Sequence, residues 1–473
     1  MEKIDSHSNP LLQTAIPDLL KLLLDEDLVI VQQASILLAE MSHVPELCDN
    51  LIQTENSCTS IINCLNSTAD YYTVRNLLLT MFEISKNFES GVPKMVKCGA
   101  LDSLIKILNA PLQNLVSISL STIHNCLLSQ DEKAKETIRQ KSTLNSLLNI
   151  FNKSQNPSFL TITVDCLFIL IRKHQPSKEW MLEIGGIQTI VSYFVNNSSI
   201  SQKLENFLLK FLLSISAYQN SKSLMMDYAF VLRINEIISS RNQNKLICIS
   251  LIKNLSDQLA LVSYNSQLVI NLYHFLTENS ISLKNKEDIL IILSNLSSNN
   301  EKNKKILIDL KSIEVLMKNL ETEHLALASL WLLKNLAFGN SKCALVQQQI
   351  KSHGLRNLSK LVVNPKYSKA VLVLIKIFTK SSSFNDDIRN CGLLTSMLYL
   401  LPNATIDLEC INLCAESLVN LIEDSKNSEL VKKSVHLFEE MIRSDNMEIH
   451  KIGLDLYYNQ INKRTTKFIK KNY

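Results

Sequence analysis

Three short segments decide how the chain is read: Leu251-Ile252-Lys253-Asn254-Leu255-Ser256, Leu293-Ser294-Asn295-Leu296-Ser297-Ser298 and Leu332-Leu333-Lys334-Asn335-Leu336-Ala337. Each closes an apolar helical stretch with asparagine, leucine and a small residue. The asparagines stand 41 and 40 residues apart. A fixed period in this range marks a helical solenoid, in which each unit buries its apolar face against its neighbours. Carried outward, the same phase falls on Glu40, Glu83, Asn125, Ile169, Ser214, Ile377, Asn420 and, more weakly, Asn459. The expected fold is all-α, a solenoid of about ten to eleven units.

A chain of 473 residues is longer than one hydrophobic core normally serves, but a stacked array carries one continuous core of any length. The composition agrees, since 46% hydrophobic residues with only 8 Gly and 9 Pro suit an all-helical protein. A net charge of +4 is too mild to mark a nucleic-acid binder. Cysteines such as Cys126, Cys166 and Cys248 fall on apolar faces, and no C-x-x-C pair occurs, so a reduced, intracellular protein with buried thiols is expected. No signal peptide opens the chain and no apolar run approaches the ~18 residues of a membrane span. The histidines are dispersed, and neither a Gly-rich phosphate loop nor a nucleophile motif appears. Neither an enzyme nor a metal or cofactor site is expected.

In chain order, residues 1–12 read as a short polar tail, 13–462 as the array and 463–473 as a basic tail. That last segment is either solvated or a nuclear-import or phosphate-binding patch. The first unit is expected to open at Ala15-Ile16-Pro17, with proline in a first helical turn. Leu19, Leu22 and Leu23 then share a face before the break Asp25-Glu26-Asp27. The outline of an armadillo unit is most open at Cys98-Gly99-Ala100-Leu101, where glycine suits a sharp turn. It returns at Gly185-Gly186-Ile187, His353-Gly354-Leu355 and Cys391-Gly392-Leu393.

Charge keeps the same phase. Lys253 and Lys334 directly precede the repeated asparagine, and Lys210 and Lys376 lie at or near the same helical turn. Solenoid geometry sets equivalent positions in a row, so these lysines are expected to form a stripe facing Asp, Glu or phosphoserine of an extended ligand. An asparagine amide offers both donor and acceptor, so Asn254, Asn295 and Asn335 are candidates to hold a ligand backbone. The alternative is that each caps or bridges adjacent helices, the preferred reading for Asn420.

Longer strings carry a resemblance. They are Ala15-Ile16-Pro17-Asp18-Leu19 with Lys21-Leu22-Leu23; Thr122-Ile123-His124-Asn125; Phe159-Leu160-Thr161-Ile162-Thr163-Val164-Asp165-Cys166-Leu167; and Ile292-Leu293-Ser294-Asn295-Leu296 through Asn299-Asn300 to Lys302-Asn303-Lys304. Over nearly its full length the chain resembles the armadillo core of the β-catenin family, which includes plakoglobin. The resemblance implies a right-handed superhelix of three-helix units whose third helices line a basic groove. It also implies roles in Wnt signalling and cadherin adhesion, at cytoplasmic, nuclear and junctional locations. The partners it implies are extended acidic peptides of T-cell-factor-type transcription factors and cadherin tails.

Residue by residue, Lys203 and Lys304 match principal groove lysines of the family and Lys222 a supporting one. Lys253, Lys334 and Lys376 stand where the family has arginine, and Lys369 matches a groove lysine directly. His124, Asn125 and Phe159 match in units three and four. A second implied surface, Asp18, Leu19, Leu22, Asp25 and Asp27, matches the docking face for a Bcl9/Legless-type co-activator helix, with core leucines beside a solvated loop as the alternative. There are departures. A family arginine falls on Gly339, leaving Lys342 as the substitute; a groove tryptophan falls on Ser250; Asn335 stands for histidine; an aromatic and a lysine fall on Ser117 and Ser158.

No counterpart of the family's phosphodegron and α-catenin-binding helix is expected before Ile16, nor a transactivating tail, so no binding to α-catenin is expected; a monomer is expected as well. An adhesion-only cadherin scaffold and a competitor of full-length β-catenin remain open. An importin-α-like adaptor is disfavoured, because only Trp331 with Asn335 fits its paired motif and a lysine stripe repels basic cargo.

Overall fold

The computed structural model describes residues 10–197, 199–262, 265–401 and 407–469, with side chains from Leu12 to Gln460. Residues 1–9 of the expected N-terminal tail and 470–473 of the expected basic tail lie outside it. The described residues form helices and turns and no strand. Eleven third helices recur: Leu28–Ser42, Tyr71–Ser85, Gln113–Leu128, Pro157–Ile171, Gln202–Ser216, Lys245–Leu259, Leu283–Ser297, Glu323–Leu336, Pro365–Phe378, Leu408–Leu421 and Met447–Ile469. They define units one to eleven. Every position in the phase read from sequence, from Glu40 to Asn459, falls inside its third helix.

The helices start where local chemistry says they should. Asp27, Asp70, Asn156, Ser201, Ser282, Asn364 and Asp407 each accept a hydrogen bond from a backbone N–H of the following first turn. Such caps satisfy donors that have no partner within the helix, and each is worth ~1 kcal/mol. Pro157 and Pro365 add a preset φ at the first helical position.

The chain divides into two blocks, residues 1–233 and 234–473. In the first, the third helices of units one to five pack each on the next; in the second, those of units six to eleven do the same. Their inner faces are apolar: Ile289, Leu290, Ile292, Leu293 and Leu296 of unit seven are all fully buried. At ~25 cal/mol per Å² of apolar surface removed from water, this face drives the stacking.

Several details depart from expectation. Pro17 lies inside the helix Pro10–Leu22 rather than in its first turn, because the chain becomes helical at Pro10. Gly99, Gly185 and Gly392 do hold the left-handed turn that opens a second helix, but in units two and eight Asn56 and Lys311 take it at φ 57°. The first segment of unit six is a 3₁₀ turn, Gln219–Met225. Between Leu259 and Ser266 the described residues form no helix at all. There two buried amides replace helical hydrogen bonds: Asn265 donates to Leu259 O at 2.7 Å, and Asn303 donates to Asn265 Oδ1 at 2.7 Å.

Candidate peptide-binding face

In the first block, the amide of Asn125 donates to Ser85 Oγ on the preceding third helix at 2.9 Å. Its neighbour His124 faces forward, with Nε2 2.8 Å from Asp165 Oδ2 on unit four. Phe159 is half-buried at the start of unit four, where with Pro111, Val116 and Ile150 it lines a cavity of about 310 Å³. Lys203 is exposed at the start of unit five, and Lys210, half-buried, lies over the Phe207 ring at 4.9 Å. Lys222 is half-buried on the 3₁₀ turn of unit six.

The second block repeats this arrangement with more acids in it. Lys253 Nζ is 2.6 Å from Asp288 Oδ1 on the next third helix, and Lys284 approaches the same carboxylate at 3.4 Å. Lys369 pairs with Glu409 at 2.6 Å, which raises its pKa, and Lys376 pairs with Glu416. Asn254 is half-buried beside Lys253. Asn295 donates to Ser256 Oγ at 2.8 Å, and Asn420 donates to Thr379 Oγ1 at 3.3 Å. Asn335 is buried and donates to both O and Oγ of Ser294, at 2.8 and 3.1 Å, while Lys334 Nζ lies 3.3 Å from its Oδ1.

Within each block these positions therefore form a mixed array. Bridging between helices, the alternative use of the asparagines, is what Asn125, Asn295, Asn335 and Asn420 do. Asn335 has both N–H groups engaged; Asn125 and Asn295 each give one N–H to a hydroxyl and keep an Oδ1 that can accept from a peptide. Replacing Asn335 with alanine should cost ~1–3 kcal/mol, against ~0.5–1.5 for Asn295→Ala, because two buried hydrogen bonds are lost instead of one. Urea-unfolding midpoints of the two variants check the order.

Lys304 is placed differently from the rest. It is 4% exposed, and its Nζ donates to Phe338 O at 2.7 Å, with Gly339 O at 3.4 Å. Burial holds its pKa below the usual lysine value. Its ammonium pins the turn that follows unit eight's third helix. Gly339 permits that approach: a Cβ there would sit 3.2 Å from Nζ. Lys342, the expected substitute for the missing arginine, pairs with Asp309 instead.

On unit one, Leu19 is buried with Leu23, as the core alternative has it, while Leu22 remains 39% exposed. Asp18 pairs with Lys21 at 3.0 Å; Asp25 accepts from Asp27 N, and Asp27 from Val29 N. Leu24, Leu28 and Val29 are exposed beside these aspartates and were not singled out from sequence. Asp165, Asp288, Glu409 and Glu416 were missed too. Spacing held the clue, since Lys369 to Glu409 and Lys376 to Glu416 are each 40 residues, one repeat.

No family model matches the chain. Junction plakoglobin of Xenopus laevis is 26% identical over 410 residues, covering 83% of this chain and 54% of that protein. Catenin beta of Urechis caupo is 26% identical over 401 residues, covering 83% of this chain and 48% of that one. The chain thus spans about half the length of the curated relatives it matches. A structure from a study of how a conserved phosphorylation switch controls the interaction between cadherin and β-catenin superimposes with a TM-score of 0.72. It is 16% identical and covers 94% of this chain and 99% of its own, so it speaks for the fold alone. With the repeating three-helix units and the sequence match along 83% of its length, the chain is a divergent homologue of β-catenin and plakoglobin, built on the armadillo-repeat fold.

Proposed function

We propose that this protein is an armadillo scaffold that holds an extended acidic peptide, of the cadherin-tail or T-cell-factor type, along its third helices, in adhesion or Wnt signalling. The supporting observation is that Lys203 and Lys210 in the first block and Lys334 in the second, expected from sequence at groove positions, have no carboxylate partner among the described residues, in a chain homologous to β-catenin. Asn125 and Asn295 leave a carbonyl oxygen for the N–H of a strand laid across them. Lys253, Lys369 and Lys376 contribute less, because a ligand carboxylate only exchanges with Asp288, Glu409 or Glu416. The exposed pairs Lys369–Glu409 and Lys376–Glu416 are each worth ~0–1 kcal/mol. On unit one, exposed Leu22, Leu24, Leu28 and Val29 beside Asp18 and Asp25 suit an amphipathic helix of the Bcl9/Legless type.

Titration of the full chain with labelled cadherin-tail and T-cell-factor-arm peptides tests the groove. Combined Lys203→Glu, Lys210→Glu and Lys334→Glu should weaken binding by about tenfold or more at low salt. Combined Glu409→Gln and Glu416→Gln should tighten it by ~2–3-fold, since the intramolecular competitors are gone. Undiminished affinity in the triple variant would overturn the proposal.

A further inference from the structure

Phe338 stands two residues past the third helix of unit eight, Glu323–Leu336, and is 56% exposed. A single exposed apolar residue is ordinary. This one is held in place. Lys304 Nζ donates to the Phe338 carbonyl at 2.7 Å, which fixes the backbone while the ring stays at the surface. Gly339 follows in the left-handed region, at φ 71°. Lys380 lies over the ring, its Nζ 5.8 Å from the centroid. It too stands two residues past a third helix, Pro365–Phe378 of unit nine, and 42 residues from Phe338. Stacking of unit nine on unit eight brings the two equivalent positions together.

The lysines at these positions lack acids. Lys380 is exposed and has no carboxylate partner among the described residues. Lys334, four residues before Phe338, has one polar contact among the described residues, the Asn335 amide oxygen at 3.3 Å. Acids on the neighbouring helix Glu301–Asp309 are engaged elsewhere. Glu301 pairs with Lys305 at 3.1 Å and accepts from Ser341 N at 3.3 Å, and Asp309 pairs with Lys342. An ammonium resting on a ring has three N–H donors, so Lys380 can keep that contact and still take an incoming carboxylate.

We propose that Phe338 and Lys380 form a subsite for an aromatic and an acidic residue two positions apart on the bound peptide. The inference rests on the peptide-binding reading above and adds a sequence preference to it. In an extended chain successive side chains point to opposite sides, and residues i and i+2 share a side about 6.6 Å apart. That spacing is close to the 5.8 Å between the Phe338 centroid and Lys380 Nζ. An aromatic side chain packs on the part of the Phe338 ring that Lys380 leaves open, offset or edge to face. The carboxylate two residues away then lies beside Lys380. An acid directly next to the aromatic points to the other side, so aromatic-x-acid is favoured over aromatic-acid.

The test is a register scan with the full chain. A labelled cadherin-tail peptide is titrated with Phe-Ser-Glu, Ala-Ser-Glu or Phe-Ser-Gln placed at successive positions along its acidic stretch. At one position Phe-Ser-Glu should bind about fivefold tighter than Ala-Ser-Glu and about threefold tighter than Phe-Ser-Gln. The first advantage should vanish in Phe338→Ala and the second in Lys380→Ala. The scan on the native chain needs no variant to fold. An advantage at no position, or one that survives Phe338→Ala, would overturn the subsite while the Ala-Ser-Glu peptides still bind the groove. Binding of none of the peptides would overturn the subsite and the groove together.

Discussion

Lys304→Glu is expected to destabilise the second block by about 3–5 kcal/mol, whereas Lys334→Glu should change stability by less than about 1 kcal/mol. The substitution at 304 puts a nearly buried carboxylate against the Phe338 and Gly339 carbonyl oxygens, acceptor facing acceptor, in the turn that follows unit eight's third helix. Lys304→Met, which keeps the stem and removes only the ammonium, should cost about 1.5–3 kcal/mol. Urea-unfolding midpoints of the three variants check the series. Equal midpoints for the two glutamate variants would place Lys304 in solvent. The functional consequence is direct: lost peptide binding in Lys304→Glu reports a disrupted turn after unit eight's third helix, so the groove charge has to be tested at Lys203, Lys210 and Lys334.

Gly91→Ala should cost about 2–3 kcal/mol, at the upper end of ordinary overpacking. An added Cβ would lie 2.1 Å from Ile84 O, a backbone atom at the end of unit two's third helix, which cannot swing away. Gly186→Ala is the control. Its Cβ would meet Met181 Cε at 2.3 Å, the tip of a flexible side chain that can rotate, so a cost below about 1 kcal/mol is expected. Thermal midpoints of the two variants separate these outcomes, and matching midpoints would mean that the unit two–unit three contact yields easily.

The architecture was legible because three good copies, at Asn254, Asn295 and Asn335, fixed a phase that then located all eleven third helices. What hid was local. Units two and eight lack the glycine outline because Asn56 and Lys311 tolerate the left-handed turn, and asparagine does so readily. Among the described residues unit seven has no first helix, and there the side-chain amides of Asn265 and Asn303 bond Leu259 O and Leu296 O. In the site, the phase of the lysines could be read, but not which of them would find a carboxylate. That depends on reach across to the next helix, as Lys253 to Asp288 shows at 35 residues rather than a full repeat. Lys304 was hidden by its neighbour. Carrying over a position keeps the ammonium but not the surroundings, and the absent side chain at Gly339 lets that ammonium turn inward.

The backward-pointing amides set a rule for how such a chain can change length. Asn125, Asn295, Asn335 and Asn420 each seek a hydroxyl on the helix before, 40, 39, 41 and 41 residues upstream. Duplication of unit seven would set the second copy's Asn295 opposite Ser297, whereas loss of unit nine would set Asn420 opposite Ala337, so a whole-repeat change keeps the bond where the new neighbour carries a hydroxyl. A half-repeat insertion strands one donor and one acceptor at the splice, so the array is free to grow or shrink only in complete modules.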